Sequence, residues 1–157
     1  MAGSMGKRLL PLVVVALGAL LGGAWWYFQD YFQPPEAEVL PLDGCDLQQQ
    51  ACRRTLPGGG ELEFSITPRP IPLVSPLKLR VRVNGLEVRR VEVDFSGVNM
   101  NMGYNRPRLQ QVAEGVFEGE GFLPVCIRQR MDWEAKVLLY LPGKVLAVPY
   151  RFDTVRS

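Results

Sequence analysis

The chain contains no histidine. That absence excludes Ser-His-Asp and Cys-His catalysis, imidazole general bases and most catalytic zinc sites. Cysteine is scarce, with three in 157 residues, and Cys45 and Cys52 are too far apart in sequence to form the C-x-x-C of a thiol oxidoreductase. A phosphate-cradling loop is missing too, because the run Gly58-Gly59-Gly60 stands between two strand-like segments and does not open a helix. Charge of one sign is not in excess. Setting aside Lys7 and Arg8 leaves sixteen basic residues against sixteen acidic ones, which argues against nucleic acid as a partner. No nucleotide partner and no enzymatic activity are expected.

What is present begins with an apolar run. Leu9 to Phe28 carries no charged residue, and at about 1.5 Å per residue it reaches roughly 30 Å, the thickness of a hydrocarbon core. The run predicts a transmembrane helix over 9–28, after a cytoplasmic N-terminus of residues 1–8. Lys7 and Arg8 precede the run and Asp30 follows it, so the remainder is expected across the membrane. Trp25, Trp26, Tyr27, Phe28, Tyr31 and Phe32 form an aromatic border at the far interface. The competing reading is a cleaved signal peptide ending near Gly22-Gly23-Ala24, for which the apolar run is long.

Residues 29–43 read as a stalk, since Gln33 to Asp43 holds three prolines and three acidic residues. The compact domain is then expected over 44–157. Its segments alternate with period two and are separated by glycine and proline. Ala51 to Leu56 and Glu61 to Thr67 predict a hairpin around Pro57-Gly58-Gly59-Gly60, with Leu62, Phe64 and Ile66 on one face. Pro68, Pro70, Pro72 and Pro76 forbid regular pairing and predict a crossing. Leu77, Leu79, Val81 and Val83 alternate with Lys78, Arg80 and Arg82, and Asn84-Gly85 predicts a two-residue turn back onto the next strand. That hairpin needs a bulge at Arg89-Arg90 to bring Val91, Val93 and Phe95 inward, and it sets Lys78 opposite Glu92. The basic stripe Lys78, Arg80, Arg82 and Arg90 is either a solvated sheet face or a surface for anionic lipid or a partner.

Val116 to Leu123 places Phe117 and Leu123 inward, and Gly119 and Gly121 leave space that Trp133 is expected to fill. Met131, Trp133, Ala135, Val137 and Leu139 alternate against Asp132, Glu134 and Lys136. Pro142-Gly143 then turns the chain into a last strand, Val145 to Phe152. About seven short strands at this spacing predict an all-β fold, an immunoglobulin-like β-sandwich preceded by a single N-terminal transmembrane helix.

The segment Asp94 to Arg108, DFSGVNMNMGYNRPR, interrupts this regularity. Gly97 and Gly103 bracket it and Pro107 ends it, so it predicts an irregular crossing of the kind that carries function. In an extended backbone Met100 and Met102 point the same way, with Asn99 and Asn101 opposite. Thioethers are soft ligands suited to Cu(I), and Cys126 and Met131 downstream are further candidates. The alternative is that these methionines are gap-fillers capping the core. Tyr104, Asn105 and Arg106 on the same loop are the candidates for gripping a protein partner.

Three cysteines in an oxidising compartment imply one pair and one free thiol. Cys45 and Cys52 make the economical pair, provided that Gly44 and the DLQQQ run loop, because a continuous helix would hold their Cα atoms about 10.5 Å apart. Cys126 is then the free thiol, and a Cys52 to Cys126 bridge is the other possibility.

The order of a proline-rich crossing, a strand, Asn84-Gly85, VDFSGVNMNMGYNR, GVFEGEGFLPVC and MDWEAKVLL resembles the FixH-like and YtkA-like group of small membrane-anchored β-sandwich proteins, over about residues 61–152. The resemblance sets Met100, Met102 and Gly103 on that group's Met-rich loop, Gly115, Phe117 and Gly119 on its aromatic strand, and Trp133 on its core tryptophan. It implies copper handling and assembly of respiratory oxidases from the periplasmic side of a bacterial inner membrane. This chain departs from the group where Tyr104 follows Gly103 in place of a histidine, which leaves sulfur ligands for Cu(I). Two functions are therefore expected to compete. One is Cu(I) trafficking to a copper-acceptor protein through Met100, Met102, Cys126 and Met131. The other is a metal-free, membrane-tethered interaction subunit of a membrane complex.

Overall fold

The computed structural model describes residues 5–32, 37–124 and 128–156, with side chains of the helix described from 13 to 28. The chain divides into two units, Met1–Pro35 and Glu36–Ser157. In the first, helix α1 runs over Met5–Phe32, 28 residues. Its described large apolar side chains stand open, from Val13 at 50% exposure to Trp26 at 76%. Among the described residues no helix is long and apolar enough to cross a membrane. The described side chains of α1 begin at Val13 and so leave out the first turn of the apolar stretch Leu9 to Phe28.

The second unit is all β, with nine strands among the described residues where about seven were expected. They are β1 (Ala37–Val39), β2 (Cys52–Thr55), β3 (Glu61–Thr67), β4 (Pro76–Asn84), β5 (Arg90–Gly97), β6 (Arg108–Ala113), β7 (Val116–Phe122), β8 (Arg130–Leu141) and β9 (Lys144–Val155). Their order, β1-β9-β8-β5-β6-β7-β4-β3-β2, is continuous because β6 pairs with both β5 and β7. The sheet doubles over. Phe64 of β3 meets Tyr150 of β9 at 5.5 Å between ring centroids although several strands separate them in that order.

Period two explains the core. Leu62, Phe64 and Ile66 of β3, Leu77 to Val83 of β4, Val91, Val93 and Phe95 of β5, and Met131 to Leu139 of β8 bury every second side chain between the two halves. The β2–β3 hairpin forms as expected, with Gly58 and Gly59 at φ of 96° and 89° where a side chain would be strained.

Three expectations are corrected. Asn84-Gly85 does not close a hairpin: β4 pairs with β3 and β7, while β5 pairs with β8 and β6. Both strands carry an apolar face that must be covered, and placing them in opposite halves covers each with the other. No bulge is then needed, and Lys78 lies opposite Thr67 and Glu120 instead of Glu92. Second, part of the expected stalk belongs to the domain, because β1 pairs in parallel with Val145 to Ala147 and Leu40 N donates to the Ala147 carbonyl at 2.9 Å. The edge of β9 has backbone groups to satisfy, and the 37–40 segment satisfies them. Third, Trp133 is fully buried, yet Gly119 and Gly121 make room for other residues. A Cβ at Gly119 would meet Leu109, and one at Gly121 would meet Leu79 and Phe95.

The outer face of β2, β3, β4 and β7 is a ladder of opposite charges. Arg53 to Glu63 is 2.6 Å, Arg82 to Glu63 3.8 Å and Arg80 to Glu118 3.4 Å. Arg90 is not part of that stripe. It lies on β5 with its guanidinium 3.6 Å from the centre of the Tyr140 ring.

Candidate functional site

The chain enters the domain at β1, beside the start of β9, whereas the irregular loops gather at the other end of β9. There the disulfide loop, the proline-rich crossing and the C-terminal end of β9 line a cavity of about 700 Å³. Gln48 braces it from inside the disulfide ring, donating to the Asp153 carbonyl at 2.5 Å and accepting from Ile71 N at 2.6 Å. Val74 on its rim has φ of 54°, a left-handed conformation unusual for a β-branched residue, and its N–H donates to the Leu123 carbonyl at 3.0 Å.

Cys45 and Cys52 form the expected disulfide, with Cα atoms 5.8 Å apart. The ring loops because Asp46 caps its own turn, accepting from Gln48 N at 2.9 Å through the carboxylate and from Gln49 N at 3.1 Å through the carbonyl. The turn drives Leu47 into the core, where it is fully buried. Of the three cysteines, Cys126 is the one left out of this bond, and it lies outside the described residues.

The loop after β5 is fixed at both ends. Val98 N donates to the Asp132 carbonyl at 2.9 Å, and the Asn99 amide donates to the Asp132 carboxylate at 3.1 Å. Gly103 N donates to Asn101 Oδ1 at 2.9 Å. Phe95 N donates to Asn105 O and Val93 N to Pro107 O, which returns the chain along β5. Between these ties Met100 and Met102 are half-buried against the core while Asn99 and Asn101 are exposed, as the alternation predicts. Met131 comes from β8 and is 1% exposed.

Met102 and Met131 both pack against Gly97. An ideal Cβ there would lie 3.1 Å from Met102 Cγ and 3.1 Å from Met131 Cε, so those two atoms are within twice that distance of each other. The Met100 carbonyl crowds the same point. Among the described residues no group of three or more Cys, Asp or Glu is arranged to hold a metal ion, so the thioethers are the donors to weigh. Neutral, polarizable sulfur, buried at Met131 and half-buried at Met100 and Met102, suits Cu(I) and disfavours hard cations such as Mg²⁺ or Ca²⁺.

Tyr104, Asn105 and Arg106 sit on the same loop and face a groove of about 500 Å³ shared with Pro76, Pro107 and Phe122. Tyr104 is 83% exposed. Arg106 lies 5.5 Å from the Tyr104 ring centre and donates to Asp94 at 3.1 Å, and that hydrogen bond pushes the guanidinium pKa further up. Asn105 donates to the Phe122 carbonyl at 2.7 Å, so it is a strut and not a free hand.

Sequence reasoning named Gly97 only as a bracket of this loop, and it missed Asp132 and Asp94 as the residues that tie it. The signal for Gly97 was available, because the inward series Val91, Val93, Phe95 reaches glycine at the next step. No family model matches the chain, and neither a curated protein nor a solved structure matches it.

Proposed function

We propose that this protein is a membrane-anchored accessory factor that binds Cu(I) and passes it to an acceptor during assembly of a respiratory copper oxidase. It acts by binding rather than by catalysis. The observation that carries the reading is that Met102 Cγ and Met131 Cε both border Gly97, beside the loop that also holds Met100. Three thioethers supply soft neutral donors, and Cys126, the cysteine outside the disulfide, supplies the charged one. The neighbour sets β9-β8-β5 and β6-β7-β4-β3 correspond to the CFG and ABED sheets of an immunoglobulin domain, with β1 and β2 added at the edges. That correspondence supports the immunoglobulin-like reading and the likeness to FixH-like and YtkA-like proteins. The charge-free run Leu9 to Phe28 within α1 supports the anchor, and Lys7 and Arg8 support a domain on the periplasmic side of a bacterial inner membrane.

Competition of the detergent-solubilised chain against a calibrated Cu(I) chelator tests the proposal. Met102→Leu and Met131→Leu nearly conserve volume, so weaker binding in those variants reports the lost sulfur. Cys126→Ser is expected to weaken binding more than either, and to flatten its pH dependence, because no thiol then has to lose a proton. Equal and weak uptake by wild type and all three variants ends the copper reading.

The second reading is a metal-free interaction subunit, favoured by Tyr104 standing 83% exposed beside its groove. It expects Tyr104→Ala to release a membrane-complex partner in co-purification while the thioether variants retain it. Partner retention by Tyr104→Ala would count against it.

A further inference from the structure

Gly97 ends β5 one step beyond the inward series Val91, Val93 and Phe95, so by period two a side chain at 97 would point into the core. Its φ is not among the positive values that force glycine elsewhere in the chain. The requirement here is space. A Cβ would collide with the Met100 carbonyl oxygen and press on Met102 Cγ and Met131 Cε, both at 3.1 Å. We propose that Gly97 is the positioning residue of the thioether pair: the missing side chain is the gap in which Met102 and Met131 meet, and it sets how closely their sulfurs approach.

This inference rests on the Cu(I) reading above and specifies how the site is built. The two thioethers arrive from a loop and a strand, and neither element alone brings them together. Met131 is placed by β8, whose Trp133 lies in register with Gly97. Met102 is placed by the loop that Asp132 holds through Val98 and Asn99. A methyl group at 97 therefore has to push the Met100 carbonyl against the ties that hold the loop, and it displaces the flexible thioether ends as well. Gly119 offers a comparison away from the methionines. A Cβ there is tight but less crowded than at Gly97, 3.2 Å from Leu109 Cγ, with no methionine among its three nearest atoms.

The experiment uses the full chain in detergent with ¹³C-methyl-labelled methionine. Wild type is expected to show a nuclear Overhauser effect between the Met102 and Met131 methyls, and both resonances should move together on adding one equivalent of Cu(I). Gly97→Ala should lose that effect and bind Cu(I) at least tenfold more weakly. Gly119→Ala should stay within twofold of wild-type affinity, although both variants lower the melting temperature. A Gly97→Ala protein that keeps the methyl contact and the affinity overturns the proposal. If Gly97→Ala does not fold, the wild-type titration decides, and Cu(I) moving only one of the two methyls overturns it. Wild type that takes up no Cu(I) ends the copper reading separately; the positioning role then stands or falls on whether Gly97→Ala loses the methyl contact.

Discussion

Trp133 donates its indole Nε1–H to Thr154 Oγ1 at 2.9 Å, a hydrogen bond between β8 and β9 with both partners buried. The ring fills the core and its single polar atom is satisfied, which is the condition for burying tryptophan without a desolvation penalty. Trp133→Ala is expected to cost about 3–5 kcal/mol through lost burial and the cavity left behind. Thr154→Val keeps the shape and removes the acceptor, so about 1–3 kcal/mol is expected. Urea midpoints of both variants check the order. A Trp133→Ala midpoint near wild type would make the tryptophan peripheral.

Tyr150 is fully buried against Phe64, and among the described residues its hydroxyl has no hydrogen-bond partner. Burial pushes the phenol well above its ordinary range, with a smaller opposing pull from Arg54. The folded protein therefore keeps a proton that the unfolded chain releases near pH 10. Stability linked to this group is complete below about pH 10 and declines as pH rises towards the higher native value. Urea midpoints between pH 8 and pH 11 should fall less steeply for Tyr150→Phe than for wild type. At pH 7 the same variant should be equal in stability or about 1 kcal/mol better, since an unsatisfied hydroxyl is removed. A loss above that at pH 7 would mean the hydroxyl has a partner.

The Cys45–Cys52 bond closes an eight-residue ring, worth about 2.5 kcal/mol in the chain-entropy picture. Because the ring also seats Leu47 in the core and Gln48 across the cavity wall, the paired Cys45→Ser, Cys52→Ser variant should lose at least that much. Denaturation with and without a dithiol reductant measures it. A wild-type midpoint unchanged by complete reduction would show the staple to be idle.

If α1 anchors the chain, the protein recovered from membranes retains its N-terminus. Intact-mass analysis of the membrane fraction should give the full-length chain. A mature terminus at or near Trp25 would instead mark a cleaved signal.

By itself, the amino-acid sequence determined which side chains of β3, β4, β5, β7 and β8 face inward, because that depends only on local alternation between apolar and polar residues. It also favoured the Cys45 to Cys52 pair over a Cys52 to Cys126 bridge, and it determined the β2–β3 hairpin and the opposite facing of asparagines and methionines in the 99–102 segment, all set by residues close together along the chain. Tertiary structure alone decided which strands are neighbours beyond the local hairpins β2–β3 and β8–β9. Backbone hydrogen bonds carry no residue identity, so Asn84-Gly85 served as well for a crossover between the two halves as for a hairpin, and coverage of two apolar faces settled the choice. The same holds for β1, whose residues were drawn from the expected stalk to satisfy the edge of β9. It holds too for the thioether site, since Met102 and Met131 come from separate segments and both reach Gly97 because β5 pairs with β8.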